Sequence, residues 1–224
     1  MAYFRDRTDA GRYLARELQR YAGRNDLLVL GLPRGGVPVA FEVAQALGAP
    51  LDVFIVRKLG LPGYQELAIG AIASGGVRVL NEALIRSAGV SQSDIEATTA
   101  AEERELNRRL RRYRGDRPFP EIAGRTVILI DDGLATGSTM QAAVIALRQE
   151  QPAAIVVAVP TAPPETCDEF RRLVDDVICA VTPEPFYGVG LWYQDFSQTT
   201  DEEVHDLLER ARERFDTPAT GRTR

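Results

Sequence analysis

The 224-residue chain has a single histidine and only two cysteines, Cys167 and Cys179, with no CxxC spacing. That stock supplies neither a zinc ligand set nor a disulfide framework, and it points to two reduced thiols in the core. Long apolar runs are missing too. No stretch reaches the roughly eighteen residues that suggest a membrane span, and the opening MAYFRDRTDAGRYLARELQRYA has no apolar segment of the signal-peptide type. A cytoplasmic protein without a membrane partner is therefore expected. An excess of positive charge is lacking as well. The formal charge is −5, with both signs spread along the chain, which argues against a nucleic-acid partner and favours small molecules.

What the chain does have is an alternation of short apolar runs with amphipathic stretches. With 45% apolar residues, a chain of this length can bury one good core. Residues 8–22 read as an amphipathic first helix capped by Thr8 or Asp9. LLVLGL, LDVFIV, RTVILI, AAIVVAVP and DDVICAV read as buried strands, and VPVAFEVAQALG as a helix closed by Gly48. STMQAAVIALRQE and the proline-entered PPETCDEFRRLV read as helices between strands. RKLGLPGYQE reads as a long polar loop, with LAIGAIA and VRVL as flanking strands. Residues 91–114 carry a Ser91 to Asp94 capping pattern and then a highly charged helical run, whose arginines are expected on a solvated face. DEEVHDLLERARERF is a final amphipathic helix bearing His205 as a surface residue. Strands alternating with helices predict an α/β fold, an open and mainly parallel sheet flanked by helices. The expected organisation is one domain over 1–215, with its core at about 25–182 and a disordered tail at 216–224.

The chemistry concentrates in VILIDDGLATGSTM, residues 127–140, where a buried strand ends in two acids and turns into a Gly/Thr/Ser loop that opens a helix. In an open parallel sheet, ligands bind beyond the carboxyl ends of strands. Amides from Ala135 to Thr139, the helix N-terminus and the hydroxyls of Thr136, Ser138 and Thr139 form a phosphate cradle, with Gly137 in its turn. It is not a nucleotide P-loop, which requires a lysine missing here, and the GxG at 188 and 190 is not a dinucleotide fingerprint. Asp131 and Asp132 would repel a phosphate unless they face another part of the ligand that offers donors. Vicinal sugar hydroxyls meet that need, so a phosphorylated sugar is the inferred ligand.

DDGLATGSTM resembles the 5-phosphoribosyl pyrophosphate (PRPP) motif of type I phosphoribosyltransferases, especially of their adenine branch, with Gly133 standing where the family usually has an aliphatic residue. The resemblance implies a 5'-phosphate on Ala135–Thr139 and ribose hydroxyls on Asp131 and Asp132. LPRGG, residues 32–36, is similar to the family's pyrophosphate loop, implying Gly35, Gly36 and Arg34 at the leaving group and a cis peptide between Pro33 and Arg34. VRKLGLPGYQE is similar to the basic stretch leading into a mobile loop, implying Arg57 and Lys58 on pyrophosphate and Glu66 as general base. FYGVGLWYQDF is similar to a purine-salvage pattern in which Phe186, Trp192 or Tyr193 stacks on a base and Asp195 meets magnesium or the base edge. The implied cofactor is Mg2+, with Asp131, Asp132 and Asp195 as the acids offered to it. The implied partners are PRPP and a small base, and the implied assembly is a homodimer. The family fold would add a small hood, formed by the N-terminal helix and about 183–200, while the charged helix lies in an insertion over about 81–115.

The function so implied is transfer of the phosphoribosyl group from PRPP to a purine or related base, with release of pyrophosphate, in nucleotide salvage. A different class, a regulator that senses PRPP or a nucleotide without turnover, would keep the same pocket. No helix-turn-helix extension supports it. A synthase making PRPP from ribose phosphate and ATP would need an ATP site, for which the sequence offers no candidate.

Overall fold

The computed structural model describes residues 3–61 and 64–216; the side chains of 61–67, 215 and 216 lie outside that description, as does the predicted tail beyond Asp216. Five strands form one parallel sheet: β1 (Leu27–Gly31), β2 (Leu51–Val53), β6 (Thr126–Ile130), β7 (Ala154–Thr161) and β8 (Asp176–Val181), ordered β2-β1-β6-β7-β8. A second, antiparallel sheet holds β3 (Val56–Leu61), β4 (Tyr64–Ala73) and β5 (Val77–Leu80).

Both faces of the parallel sheet are covered, which explains why β1 and β6 are apolar at almost every position. Leu28, Leu30, Val127 and Leu129 point to the side of α5 (Ser138–Gln149) and α6 (Pro164–Phe170), where they pack with Met140, Leu147 and Phe170. Leu27, Val29, Ile128 and Ile130 point the other way, onto α1 (Arg7–Glu17) and α2 (Gly36–Leu47), through Leu14, Leu18, Val39 and Val43. The helix α1 is thus a layer of the main core, and the chain before it together with Arg7, Ala10 and Tyr13 also reaches residues 192–197. It starts earlier than expected, because Asp6 caps it by accepting from Asp9 N at 2.7 Å, and it gives way to a short 3-10 turn at Gln19–Tyr21. Gly48 closes α2 in the left-handed conformation, as the sequence suggests.

Two expectations are corrected. The stretch expected as a polar loop lies in two antiparallel strands: β3 runs through Arg57 and Lys58, and β4 begins at Tyr64 and includes Glu66. The regular strands on either side of Pro62 and Gly63 were obscured in sequence by the glycines and that proline. The cysteines are not free thiols either. Helix α6 lies on β8, so that Cys167 and Cys179 face one another, with Cα atoms 6.5 Å apart, and form a disulfide.

The charged region folds as α3 (Glu82–Ala88) and α4 (Gln92–Arg114), the latter capped by Ser91. Its apolar residues Ile95, Leu106 and Tyr113 join Ile55, Leu59 and Ile72, and Val204 and Leu208 of α7 (Asp201–Asp216), in a third cluster. At its end the buried Arg114 forks onto Asp52 at 2.7 and 2.9 Å and donates to Pro118 O at 2.6 Å, tying α4 to β2. Other arginines of the run pair with acids: Arg108 and Arg109 with Glu105, and Arg112 with Asp201 and Glu202. His205 is exposed, with Nδ1 3.3 Å from Tyr113 O. Among the described residues, no helix is long and apolar enough to cross a membrane.

Tyr113, buried at 1% exposure, donates to Asp201 Oδ1 at 2.7 Å. Burial first, and then the facing Asp201, push its hydroxyl up to about 12. The protonated form is favoured by folding, so this contribution is complete below the ordinary tyrosine value of about 10 and is lost as pH rises through 12. Urea unfolding at pH 8 and at intervals from pH 10 to 12 should therefore show the wild type losing stability faster than Tyr113→Phe. Parallel losses in the two proteins would contradict this assignment.

Candidate phosphate and diol site

The chain leaves β1 through Leu32–Gly36 and α2 toward β2 on one side; it leaves β6 through Asp131–Gly137 and α5 toward β7 on the other. Because Gly31 is in register with Ile130, the two loops start side by side at the point where the sheet's connectivity reverses. Crevices of this kind are where open α/β sheets bind ligands.

The two loops are packed too closely for side chains. A Cβ on Gly36 would lie 2.6 Å from Ile130 O, and one on Gly35 would lie 2.0 Å from Asp132 Oδ2. These contacts set the glycine requirement in PRGG. The Pro33–Arg34 peptide is cis, as the resemblance implies.

On the β6 side, Leu134 N donates to Thr161 O at 3.0 Å, and Thr166 Oγ1 of α6 donates to Ala135 O at 3.0 Å. Gly137 takes φ 67° immediately before α5, and a Cβ there would meet the Phe170 ring at 2.5 Å. Thr136, Ser138 and Thr139 lie around the free amides at the start of α5, an arrangement suited to an anion. Lys58 Nζ donates to Ser138 Oγ at 2.7 Å and brings a cation to that loop. The departure at Gly133 also has a physical cause. A Cβ there would lie 2.5 Å from Val189 Cγ1, so Val189 fills the space an aliphatic side chain would take.

The acid pair lies behind this cradle. Asp132 N donates to Asp131 Oδ1 at 2.9 Å, and Asp132 O accepts from Tyr193 Oη at 2.6 Å. Burial, followed by the neighbouring Asp132, pushes the Asp131 carboxyl well above the usual carboxylate range. Asp132 is also raised by burial, although Arg7 pulls it down. Two carboxyls crowded out of water call for donors from a ligand or for a cation.

Sequence reasoning missed Arg7. Its Nε donates to Asp132 Oδ2 at 2.8 Å, and Nη1 donates to Ser197 O at 2.6 Å. No periodicity marks it, because it lies 125 residues before its partner. Tyr193, offered as a base-stacking ring, is buried against Phe4 and holds Asp132 instead.

Other expected members lie elsewhere in this arrangement. Successive residues of a strand face opposite ways, so while Lys58 meets the loop, Arg57 turns to α4 and donates to Glu102 at 2.6 Å. Arg34 Nη1 is 3.9 Å from Asp201 Oδ1. Phe186 and Trp192 stack on each other with centroids 6.4 Å apart. Asp195 Oδ1 accepts from Ser197 N at 2.9 Å. The side chain of Glu66 lies outside the described residues.

Magnesium suits this donor set in a limited way. Among the described residues, no group of three or more His, Cys, Asp or Glu could cage a metal. Magnesium is commonly held by one or two carboxylates plus substrate phosphates, and Asp131 and Asp132 offer hard oxygens for that role.

The phosphoribosyl transferase domain model matches residues 5–189. Two proteins from strains of Mycobacterium tuberculosis, named provisionally as phosphoribosyl transferases, are each 46% identical over 215 residues; this covers 96% of the chain but only 48% of those proteins. The chain thus spans about half the length of these curated relatives. The crystal structure of TT1426 from Thermus thermophilus is 44% identical, with a TM-score of 0.83, over 93% of this chain and 98% of that one.

The glycine contacts separate two effects. Gly36→Ala meets backbone, so it should lower unfolding stability by about 1–3 kcal/mol. Gly35→Ala meets the side chains of Asp132 and Arg7, so it should cost less stability than Gly36→Ala while weakening sugar-phosphate binding at least tenfold. Thermal melts and calorimetry on the two variants test this division, which equal stability losses would rule out.

Proposed function

The chain belongs to the phosphoribosyl transferase domain family, and on that premise we propose that it moves the 5-phosphoribosyl group from PRPP to a nitrogenous base, purine or related, and releases pyrophosphate. The observation that carries this reading is the side-by-side exit of the two loops, with the acid pair of one lying against the glycines of the other. A ligand that offers phosphate, vicinal hydroxyls and pyrophosphate within one molecule satisfies each of these groups.

In this reading the amides of Ala135–Thr139 hold the 5'-phosphate, joined by Lys58, which was expected on the pyrophosphate but lies against Ser138, while Asp131 and Asp132 accept from the ribose hydroxyls. The amides of Gly35 and Gly36 hold the pyrophosphate. Arg34, released from Asp201, joins them, and Arg57 would do so only by leaving Glu102. The bond from C1 to the pyrophosphate oxygen breaks as a base nitrogen bonds to C1, and positive charge builds on the ribose ring between them. Carboxylates fixed beneath that ring stabilise the charge without reorganising. Asp131 and Asp132 would hold magnesium together with the substrate, and it would supply further neutralisation of the departing negative charge. Glu66, which lies near the start of β4, is the proposed acceptor of the proton that the base nitrogen loses. Phe186 and Trp192 are proposed to flank the acceptor base, with Asp195 near its edge.

The test combines purified protein, magnesium, PRPP and a panel of purine and pyrimidine bases, and follows pyrophosphate. Release should require one base and fall by roughly 100-fold or more in Asp131→Asn/Asp132→Asn. Saturable PRPP binding with no release for any base would instead favour the sensing protein. Glu66→Gln should slow turnover more than a few-fold; a smaller change would remove Glu66 from its role.

A further inference from the structure

Each carboxylate of the acid pair has one oxygen engaged within the protein. Asp131 Oδ1 accepts from Asp132 N, and Asp132 Oδ2 accepts from Arg7 Nε. Among the described residues, no hydrogen bond engages the second oxygen of either. Two acceptors therefore remain for two hydroxyls.

What fixes the second of these is Arg7. Its guanidinium lies 4.1 Å from the centroid of the Phe196 ring, and its two bonds run to Asp132 and to Ser197 O. Ring face and acceptors together set the orientation of the fork, and the fork sets that of the carboxylate. Both side chains of the pair are well buried, at 12% and 16% exposure, so neither rotates freely into water. A guanidinium suits this task because it is planar and always charged; a lysine would supply a point charge without fixing the plane. Gly35 lies beneath the same oxygen, leaving the carboxylate no room on that side.

We propose that Arg7 is a positioning residue that makes the site selective for an intact vicinal diol, by turning one oxygen of Asp132 toward a single sugar hydroxyl. This inference rests on the proposed function. A sugar that lacks that hydroxyl leaves a buried carboxylate oxygen without a donor, and sites built around such hydrogen bonds reject the incomplete ligand strongly. Loss of Arg7 frees the carboxylate to rotate, so the preference fades while the phosphate cradle stays intact.

The experiment measures by calorimetry the affinities of the full chain for ribose 5-phosphate, 2-deoxyribose 5-phosphate and inorganic phosphate. The wild type should prefer ribose 5-phosphate at least tenfold. Arg7→Met should reduce that preference to within about twofold and leave phosphate affinity unchanged, and Arg7→Lys should fall between. Phe196→Leu, which removes the ring beneath the guanidinium together with its contact to Tyr193, should also reduce the preference, and it provides the test if Arg7→Met does not fold. Preference retained in the variants, or no preference in the wild type, overturns the positioning role. Failure of the wild type to bind ribose 5-phosphate at all would overturn the proposed function with it.

Discussion

The site depends on one close approach, that of the loop after β1 to the loop after β6. Strand register brings Gly31 beside Ile130, and from there backbone must pass over backbone, with Gly36 against Ile130 O and Gly35 against the Asp132 carboxylate. Only residues without a Cβ allow that distance. The consequence is chemical as well as steric. Donors of one loop and acceptors of the other come within reach of a single small molecule, and neither loop forms such a site alone.

The region between β2 and β6 supports this pair of loops from one side. Helix α4 is anchored at its end by the buried fork of Arg114 on Asp52 and along its length by the third apolar cluster. It then takes Arg57 through Glu102, while Asp201, at the start of α7, faces Arg112, Tyr113 and Arg34. The charged run is therefore more than a solvated face. Glu102 on it, and Asp201 held beside it by Arg112 and Tyr113, pair with the two arginines that the motifs would assign to the leaving group, and an anion would compete with these acids for them.

Much of this was legible in the sequence because the signals were local. DDGLATGST carries its strand exit, acids, turn and helix start within one short segment, and the alternation of apolar runs with helices foretold the parallel sheet. Ser91 and Gly48 marked helix ends by chemistry that acts over a few residues. What escaped was non-local. Arg7 has no pattern of its own and finds Asp132 across the fold. Arg57 and Lys58 look equivalent as neighbours in a loop, whereas strand alternation separates them onto opposite faces. The cysteines are 12 residues apart, and only the docking of α6 on β8 makes them partners. Gly133 departs from the usual motif because Val189, far along the chain, fills its space.

Charge then orients what can bind. The α5 N-terminus and Lys58, whose ammonium touches Ser138, favour an anion at one end. The opposite demand comes from Asp131 and Asp132, buried and crowded, with Arg7 as the cation that counters them. A phosphate brought to the acids would meet like charge in a medium that screens it poorly, and a hydroxyl brought to the cradle would leave its amides without an anion. A sugar phosphate, the ligand of the proposed reaction, would thus have one favourable direction of approach, with its phosphate toward α5 and its hydroxyls toward the acids.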